Sequence, residues 1–220
     1  MSGEQFLLLL LTAYCLLMAI KESSDELNAP VAVKGVSIAP ARSRRTPGDY
    51  VALALATWGV GYSPLAPGTL GSAVGVGIYL LTREAYNNLS AFAAAHGWGL
   101  PALESFRISF MLLLVVALAL AGVWAGTRAE KLLGRKDPGA VVVDEVVGQL
   151  ITFLFVPFNA GVWVIVSGFL AFRLFDIWKP YPARRLEVLE SGLGIMADDV
   201  VAGTYAAILV ALLVSIQMLF

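Results

Sequence analysis

Apolar residues run along this chain in long blocks separated by short charged stretches. Phe6–Ile20 is an uncharged block of about 15 residues, short of the ~20 that a bilayer crossing needs. Glu4 precedes it and no Lys or Arg does, so its flank is a poor signal-peptide n-region. The block reads as a short anchor or as a cleaved or interfacial piece. Leu27–Thr46 is polar, contains proline and reads as a linker. Tyr50–Leu81 is apolar but interrupted over Gly59–Gly71, where two prolines and four glycines cannot continue a helix. Ile108–Gly126, Val141–Pro157, Gly161–Trp178 and Val200–Phe220 follow as further spans, the middle two joined by a very short turn at Phe158-Asn159-Ala160. In lipid the backbone must satisfy its own hydrogen bonds. The pattern therefore predicts an all-α integral membrane bundle of about five to six helices, including the Pro/Gly-broken segment. Residues 1–46 form an N-terminal extension and 47–220 the membrane domain.

Composition agrees. Only 14% of the 220 residues are charged, against roughly 25% in a soluble domain. A net charge of −1 supplies no basic field for nucleic acid. The single cysteine, Cys15, excludes a disulfide framework and a Cys-rich zinc site. The single histidine, His96, excludes chemistry that needs two. Lys and Arg cluster in three places: Arg42, Arg44 and Arg45; Arg128, Lys131, Arg135 and Lys136; and Lys179, Arg184 and Arg185. If each intervening unit crosses the membrane, all three lie on one side, and the positive-inside tendency makes that side cytoplasmic. The stretch from Arg83 to Arg107 and the turn at Asn159 fall on the other side.

The polar residues inside the spans gather at that same face. Asp144 and Glu145 interrupt a valine run at the start of one span. Arg173 and Asp176 lie in the last turns of the next, with Lys179 following. Asp198 and Asp199 open the final span. Ionisable residues in spans are costly and are usually retained for function. Arg173, Asp176 and Lys179 are three apart and share a helix face, although Pro180 pushes Lys179 out of the helix. Adjacent acids point about 100° apart, so one of each pair faces the bundle centre. Five carboxylates (Asp144, Glu145, Asp176, Asp198 and Asp199), without His or Cys, suit a hard oxygen-seeking cation such as Mg²⁺.

The Gly59–Gly71 loop brings backbone N–H groups, Gly68 among them, and the hydroxyls of Ser63, Thr69 and Ser72. A helix follows, with Thr69 or Ser72 as its expected cap, and a loop feeding a helix N-terminus is an anion site. Beside acids, Arg173 and Lys179, it points to phosphate held on a metal. Counting removes other phosphatase chemistries. One histidine is too few for a two-His mechanism, the residue six after Cys15 is Lys21 rather than Arg, and no Asp-x-Asp occurs. No Gly-x₄-Gly-Lys is present for a P-loop. The competing class is a divalent-cation transporter or channel using the same acids, but acids gathered at one face rather than mid-span favour an enzyme. Other features read as structural: Gly71-x-x-x-Gly75 as close helix packing, Trp58, Trp163 and Trp178 as interface anchors or packing, His96 as incidental, and Cys15 as an apolar filler.

Four ordered stretches, Gly61–Ser72, Val142–Gly148, Phe172–Pro182 and Gly192–Gly203, resemble the phosphatidylglycerophosphatase A family of bacterial membrane phosphatases. The resemblance runs from about Tyr50 to the C-terminus. It implies a Mg²⁺-dependent enzyme of the bacterial inner membrane, its site facing the cytoplasm. The implied reaction removes the terminal phosphate of phosphatidylglycerophosphate, an anionic glycerophospholipid, giving phosphatidylglycerol. The five carboxylates become candidate metal ligands, one of them a possible base or nucleophile. Ser63, Gly68, Thr69, Ser72, Arg173 and Lys179 become candidate phosphate ligands. Two departures stand out: residues 1–46 have no counterpart in the short family members, and Leu193 separates Gly192 from Gly194 where the family has adjacent glycines. Because no motif lies in the extension, a chain starting near Thr46 is expected to keep phosphatase activity. Loss of activity in such a chain, still folded and inserted, would assign the extension a catalytic role.

Overall fold

Seven α-helices and one 3₁₀ turn make up the regular structure of the computed structural model, which describes residues 45–186 and 189–219. No strand occurs among the described residues. The Phe6–Ile20 block, Cys15 and the extension up to Arg44 lie outside them.

Helix α1 (Pro47–Thr57) opens on a proline, whose fixed φ suits the first helical position. The Thr46 backbone N–H donates to Asp49 Oδ2 at 2.7 Å, and Arg128 Nε donates to Asp49 Oδ1 at 2.7 Å. These two bonds, the backbone one first, hold the Asp49 carboxyl down at about 2. Eleven residues extend only about 16 Å, too short to cross a bilayer, so α1 is a helix at one end of the bundle. It stops where Trp58 and Gly59 both turn left-handed, at φ 49° and 72°. The 3₁₀ turn Val60–Tyr62 and an irregular segment complete the expected break.

The break is shorter than the glycine spacing suggests. Helix α2 runs Pro67–Ala95, so Gly68, Thr69, Gly71 and Ser72 are already helical. Neither Thr69 nor Ser72 caps it. Ala66 occupies that position with φ 43°, and the Ser72 hydroxyl donates to Gly68 O at 2.9 Å within the helix. Pro67 explains the difference, since its ring starts the helix two residues ahead of the expected cap. The far end also differs. No glycine or proline occurs between Gly77 and Gly97, so nothing stops α2 at Leu81. Much of the stretch expected as a loop from Arg83 to Arg107 belongs to α2 and to α3 (Leu100–Leu133).

Helix α4 is a larger correction. The sequence suggests a span over Val141–Pro157, but only Val143–Thr152 is helical, about 15 Å long. Val143, Val146, Val147 and Leu150 are completely buried, so α4 is wrapped by protein rather than lipid. Irregular backbone follows, tolerable in a membrane protein because protein groups satisfy it. The buried Arg107 donates to Val156 O at 3.1 Å, and Arg83 donates to Ala160 O at 3.4 Å. Helix α5 (Val162–Trp178) returns, the short α6 (Ala183–Leu186) follows, and α7 (Ser191–Leu219) ends the fold. Because α7 starts at Ser191 rather than Val200, Asp198 and Asp199 lie inside it and do not open it. Leu100–Leu133 and Ser191–Gln217 are long and apolar enough to cross a membrane, and the protein is a helical membrane protein.

Close contacts give the helix directions. Gly71 and Gly75 of α2 face Val142 and Gln149, where an added Cβ would come within 2.8 Å of each side chain's Cβ. Further along, the Tyr79 ring lies tilted against Phe153, centroids 4.6 Å apart. Helices α2 and α4 are therefore parallel, and the Gly71-x-x-x-Gly75 spacing is indeed a packing device. Gly148 meets Phe172, while Gly168 meets Phe153, so α5 is antiparallel to α4. Gly122 meets Met196 and Gly126 meets Gly192, so α7 is antiparallel to α3. The α3 and α5 C-termini and the α4 and α7 N-termini thus share one end, which carries Arg128 and Lys179. Trp163 and Trp178 are 43% and 62% exposed on the outside, as anchors would be, whereas Trp58 is half-buried.

A backbone-to-backbone crossing also joins α4 to α7. A Cβ on Gly203 would overlap the Gly148 carbonyl oxygen, and one on Gly148 would lie 2.8 Å from the Asp199 carbonyl oxygen. Gly203→Val should therefore destabilise the fold by about 1–3 kcal/mol or more. Gly77→Ala, where nothing lies within 4 Å, should stay within about 1 kcal/mol of the parent. Thermal unfolding in detergent checks both, and equal effects would contradict the crossing.

Candidate metal and phosphate site

The beginnings of α2, α4 and α7 and the end of α5 meet at the Arg128–Lys179 end of the bundle. Asp144 and Glu145 occupy the first turn of α4, where the macrodipole favours negative charge. The Val142 N–H donates to Ala56 O at 2.8 Å, tying this turn to α1. Asp199 lies about two turns into α7, brought alongside by the Gly148–Gly203 crossing. One oxygen each from Asp144, Glu145 and Asp199 lie within 4.8 Å of one another. Asp144 is 9% exposed and Asp199 3%. Unit charges at that separation repel by about 3 kcal/mol per pair at an effective dielectric of roughly 20. Asp144 Oδ1 and Glu145 Oε2 are buried without a hydrogen-bond partner. Three crowded carboxylates with orphaned oxygens are a fitting donor set for a hard cation.

The other two predicted acids stand beside this trio, each matched by a cation. Asp176 pairs with Arg173 one turn earlier on α5, both side chains buried. Asp198 Oδ2 accepts from Lys179 Nζ at 2.8 Å. The two adjacent pairs therefore behave differently. Asp198 and Asp199 part, one to the lysine and one to the cluster, whereas Asp144 and Glu145 both reach the cluster. Lys179 ends α5 in a left-handed conformation with φ 47°, and Pro180 prevents the helix continuing.

The first turn of α2 closes the site from one side. A Cβ on Gly68 would overlap Glu145 Oε1 and lie 3.2 Å from both terminal nitrogens of Arg173, so this glycine lets α2 rest on both charges. Arg173 Nη1 donates to Ser72 Oγ at 3.4 Å. Gly68 is the second residue of α2, where a backbone N–H lacks an intrahelical partner. Thr69 is the third, its N–H donating to Ala66 O at 3.0 Å. The structure thus groups Gly68, Ser72 and Arg173 with the acids. Ser63 is placed differently: its hydroxyl accepts from the Leu65 N–H at 3.2 Å in a local turn. His96 lies at the end of α2 against Phe92 O, away from this chemistry.

One residue escaped the sequence reading. Gln149 is completely buried one helical turn beyond Glu145, and that i, i+4 spacing was the available signal.

A family model described as Phosphatidylglycerophosphatase A matches residues 53–214. A Bacteroides thetaiotaomicron protein named "Putative phosphatidylinositol-3-phosphatase" is 40% identical over 155 residues, covering 70% of this chain and 87% of its own. Phosphatidylglycerophosphatase A of Escherichia coli is 35% identical over 153 residues, covering 68% and 75%. The Haemophilus influenzae protein of that name is 36% identical over 113 residues, covering 51% and 69%. No solved structure matches the chain.

The two kinds of acid should respond oppositely to neutralisation. Asp144→Asn or Asp199→Asn removes a repelling charge and should raise the thermal midpoint of protein held without divalent cations. Asp176→Asn leaves Arg173 buried beside a neutral partner and should lower stability by about 3 kcal/mol. A fall of similar size in all three would contradict the division into cluster and ion pairs.

Proposed function

The chain belongs to the phosphatidylglycerophosphatase A family, and from that premise we propose that its phosphomonoester substrate is phosphatidylglycerophosphate and its metal Mg²⁺. The enzyme is a membrane phosphatase of phospholipid metabolism. The observation that carries the finer reading is the Asp144–Glu145–Asp199 cluster set against Arg173 and the first turn of α2.

Hydrolysis adds a water oxygen to phosphorus, breaks the bond from phosphorus to the glycerol oxygen and returns a proton to that oxygen. The products are phosphatidylglycerol and inorganic phosphate. Asp144, Glu145 and Asp199 are the residues that would hold Mg²⁺, which when bound neutralises phosphate oxygens and makes water more acidic. Arg173 supplies fixed positive charge toward the phosphate, oriented by Asp176 and Ser72. Lys179, steered by Asp198, supplies a second charge at the rim, where its side chain is 24% exposed. The Gly68 N–H adds a backbone donor from the first turn of α2, which also carries Thr69, and Ser63 lies in the segment before it. The orphaned Asp144 Oδ1 is an acceptor able to take a water proton. Asp176 and Asp198 act mainly by placing the two cations.

This reading sets the site in the bacterial inner membrane at headgroup depth on the cytoplasmic side. The substrate's phosphate then reaches the acids while its acyl chains stay in the bilayer. Arg184 and Arg185 add attraction to an anionic surface, about 1 kcal/mol each.

Purified enzyme should release phosphate from phosphatidylglycerophosphate with Mg²⁺, lose that activity in excess EDTA and regain it when Mg²⁺ is restored. Asp144→Asn should cut turnover by at least ~100-fold. Phosphatidylinositol 3-phosphate should be the poorer substrate, and a faster rate on it would overturn the substrate reading. Full turnover in EDTA would overturn the metal. For sidedness, single cysteines are introduced as Arg135→Cys or Asn159→Cys with Cys15 replaced. An impermeant thiol reagent should label position 159 in intact cells and spare position 135; the reverse pattern inverts the topology.

A further inference from the structure

Gln149 spends a buried polar group where the fold asks for an apolar one. It is completely buried, and neither its amide nitrogen nor its amide oxygen has a hydrogen-bond partner. Its neighbours on α4, Val146, Val147 and Leu150, are equally buried and apolar. A primary amide can make up to four hydrogen bonds, and native proteins seldom leave such groups unsatisfied in the interior. Packing alone would be served by methionine or leucine. Position matters too. Gln149 follows Glu145 by four residues, so the two share a helix face, and both lie against α2. The Gln149 Cβ would be 2.8 Å from a Cβ on Gly75, and the Glu145 Cβ 3.4 Å from one on Gly71. Glu145 Oε2 is itself buried and unpartnered. Two unsatisfied polar groups thus stand one turn apart on one face, directly beneath the acidic cluster. A buried water typically makes about three hydrogen bonds to such groups.

We propose that Gln149 is a positioning residue of the cation site, its amide holding the Glu145 carboxylate through one bridging water. The inference rests on the cation reading above. The amide donates to the water, the water donates to Glu145 Oε2, and the carboxylate is held toward Asp144 and Asp199. Support of this kind fixes a ligand's orientation and typically changes metal affinity or activity by 10–100-fold when removed.

The chain contains three glutamines, Gln5, Gln149 and Gln217. Full-length protein carrying Gln5→Asn and Gln217→Asn, labelled with ¹⁵N-glutamine, has only the Gln149 side-chain amide pair in that class. Titration with MgCl₂ in detergent, without lipid, is followed by calorimetry and by that resonance. The expected result is a binding heat together with a shift of the Gln149 amide. Gln149→Met should weaken Mg²⁺ binding by roughly tenfold or more and lower kcat with little change in KM for lipid. Its thermal midpoint without Mg²⁺ should equal or exceed the parent's. A binding heat without any amide shift, or a Gln149→Met protein that binds Mg²⁺ at parental strength, overturns this proposal and leaves the cation reading standing. No heat at any Mg²⁺ concentration overturns the cation reading and this proposal with it. Should Gln149→Met fail to fold, the amide shift in the glutamine-containing protein decides.

Discussion

Gly148 and Gly203 let α4 and α7 touch backbone to backbone, and the candidate site depends on that contact. Asp199 is in α7, and Asp144 and Glu145 are in α4, so their spacing is set by how closely the two helices approach. Any side chain at 203 would push into the Gly148 carbonyl. The same crossing leaves room for Phe172 beside Gly148, which seats α5 and brings the neighbouring Arg173 toward α2. One contact between two small residues therefore fixes both the acidic cluster and the arginine that faces it. In lipid, where apolar tails compete equally for helix surfaces, small residues that permit close backbone approach are the means available for such precision.

Charge follows from this geometry. Five carboxylates surround two cations at one end of the bundle. Arg173 pairs with Asp176 and Lys179 with Asp198, while Asp144, Glu145 and Asp199 crowd together. Such crowding costs folding energy, a cost that a bound cation would offset under the proposed function. Gln149, an amide among the buried apolar Val146, Val147 and Leu150, follows the same rule. Local departures from stable packing concentrate at functional positions.

The chemistry was more legible in the sequence than the helix boundaries. Acids inside apolar blocks are conspicuous, because few residues in a lipid-facing chain carry charge. The Pro/Gly break and the Gly71-x-x-x-Gly75 contact could be read for the same reason: proline and glycine have direct geometric consequences. What misled was hydrophobicity used as a ruler. Val141–Pro157 is apolar because protein surrounds it, not because it crosses lipid, and apolarity alone does not separate those cases. The start of α2 was set by Pro67 rather than by the hydroxyl of Thr69 or Ser72. Its continuation past Leu81 reflects the lack of a breaker rather than any loss of hydrophobicity. The sorting of five equivalent acids into a cluster and two ion pairs needs the α4–α7 contact, which pairs residues more than fifty positions apart.

We propose that this helix crossing builds a cation site from Asp144, Glu145 and Asp199. Crystals of the enzyme soaked in MnCl₂, with Mn²⁺ standing in for Mg²⁺, would test it by anomalous diffraction. An anomalous peak is expected within bonding distance of all three carboxylates, lost in crystals of Asp199→Asn. A manganese peak bound elsewhere, with these carboxylates unliganded at saturating metal, would contradict it.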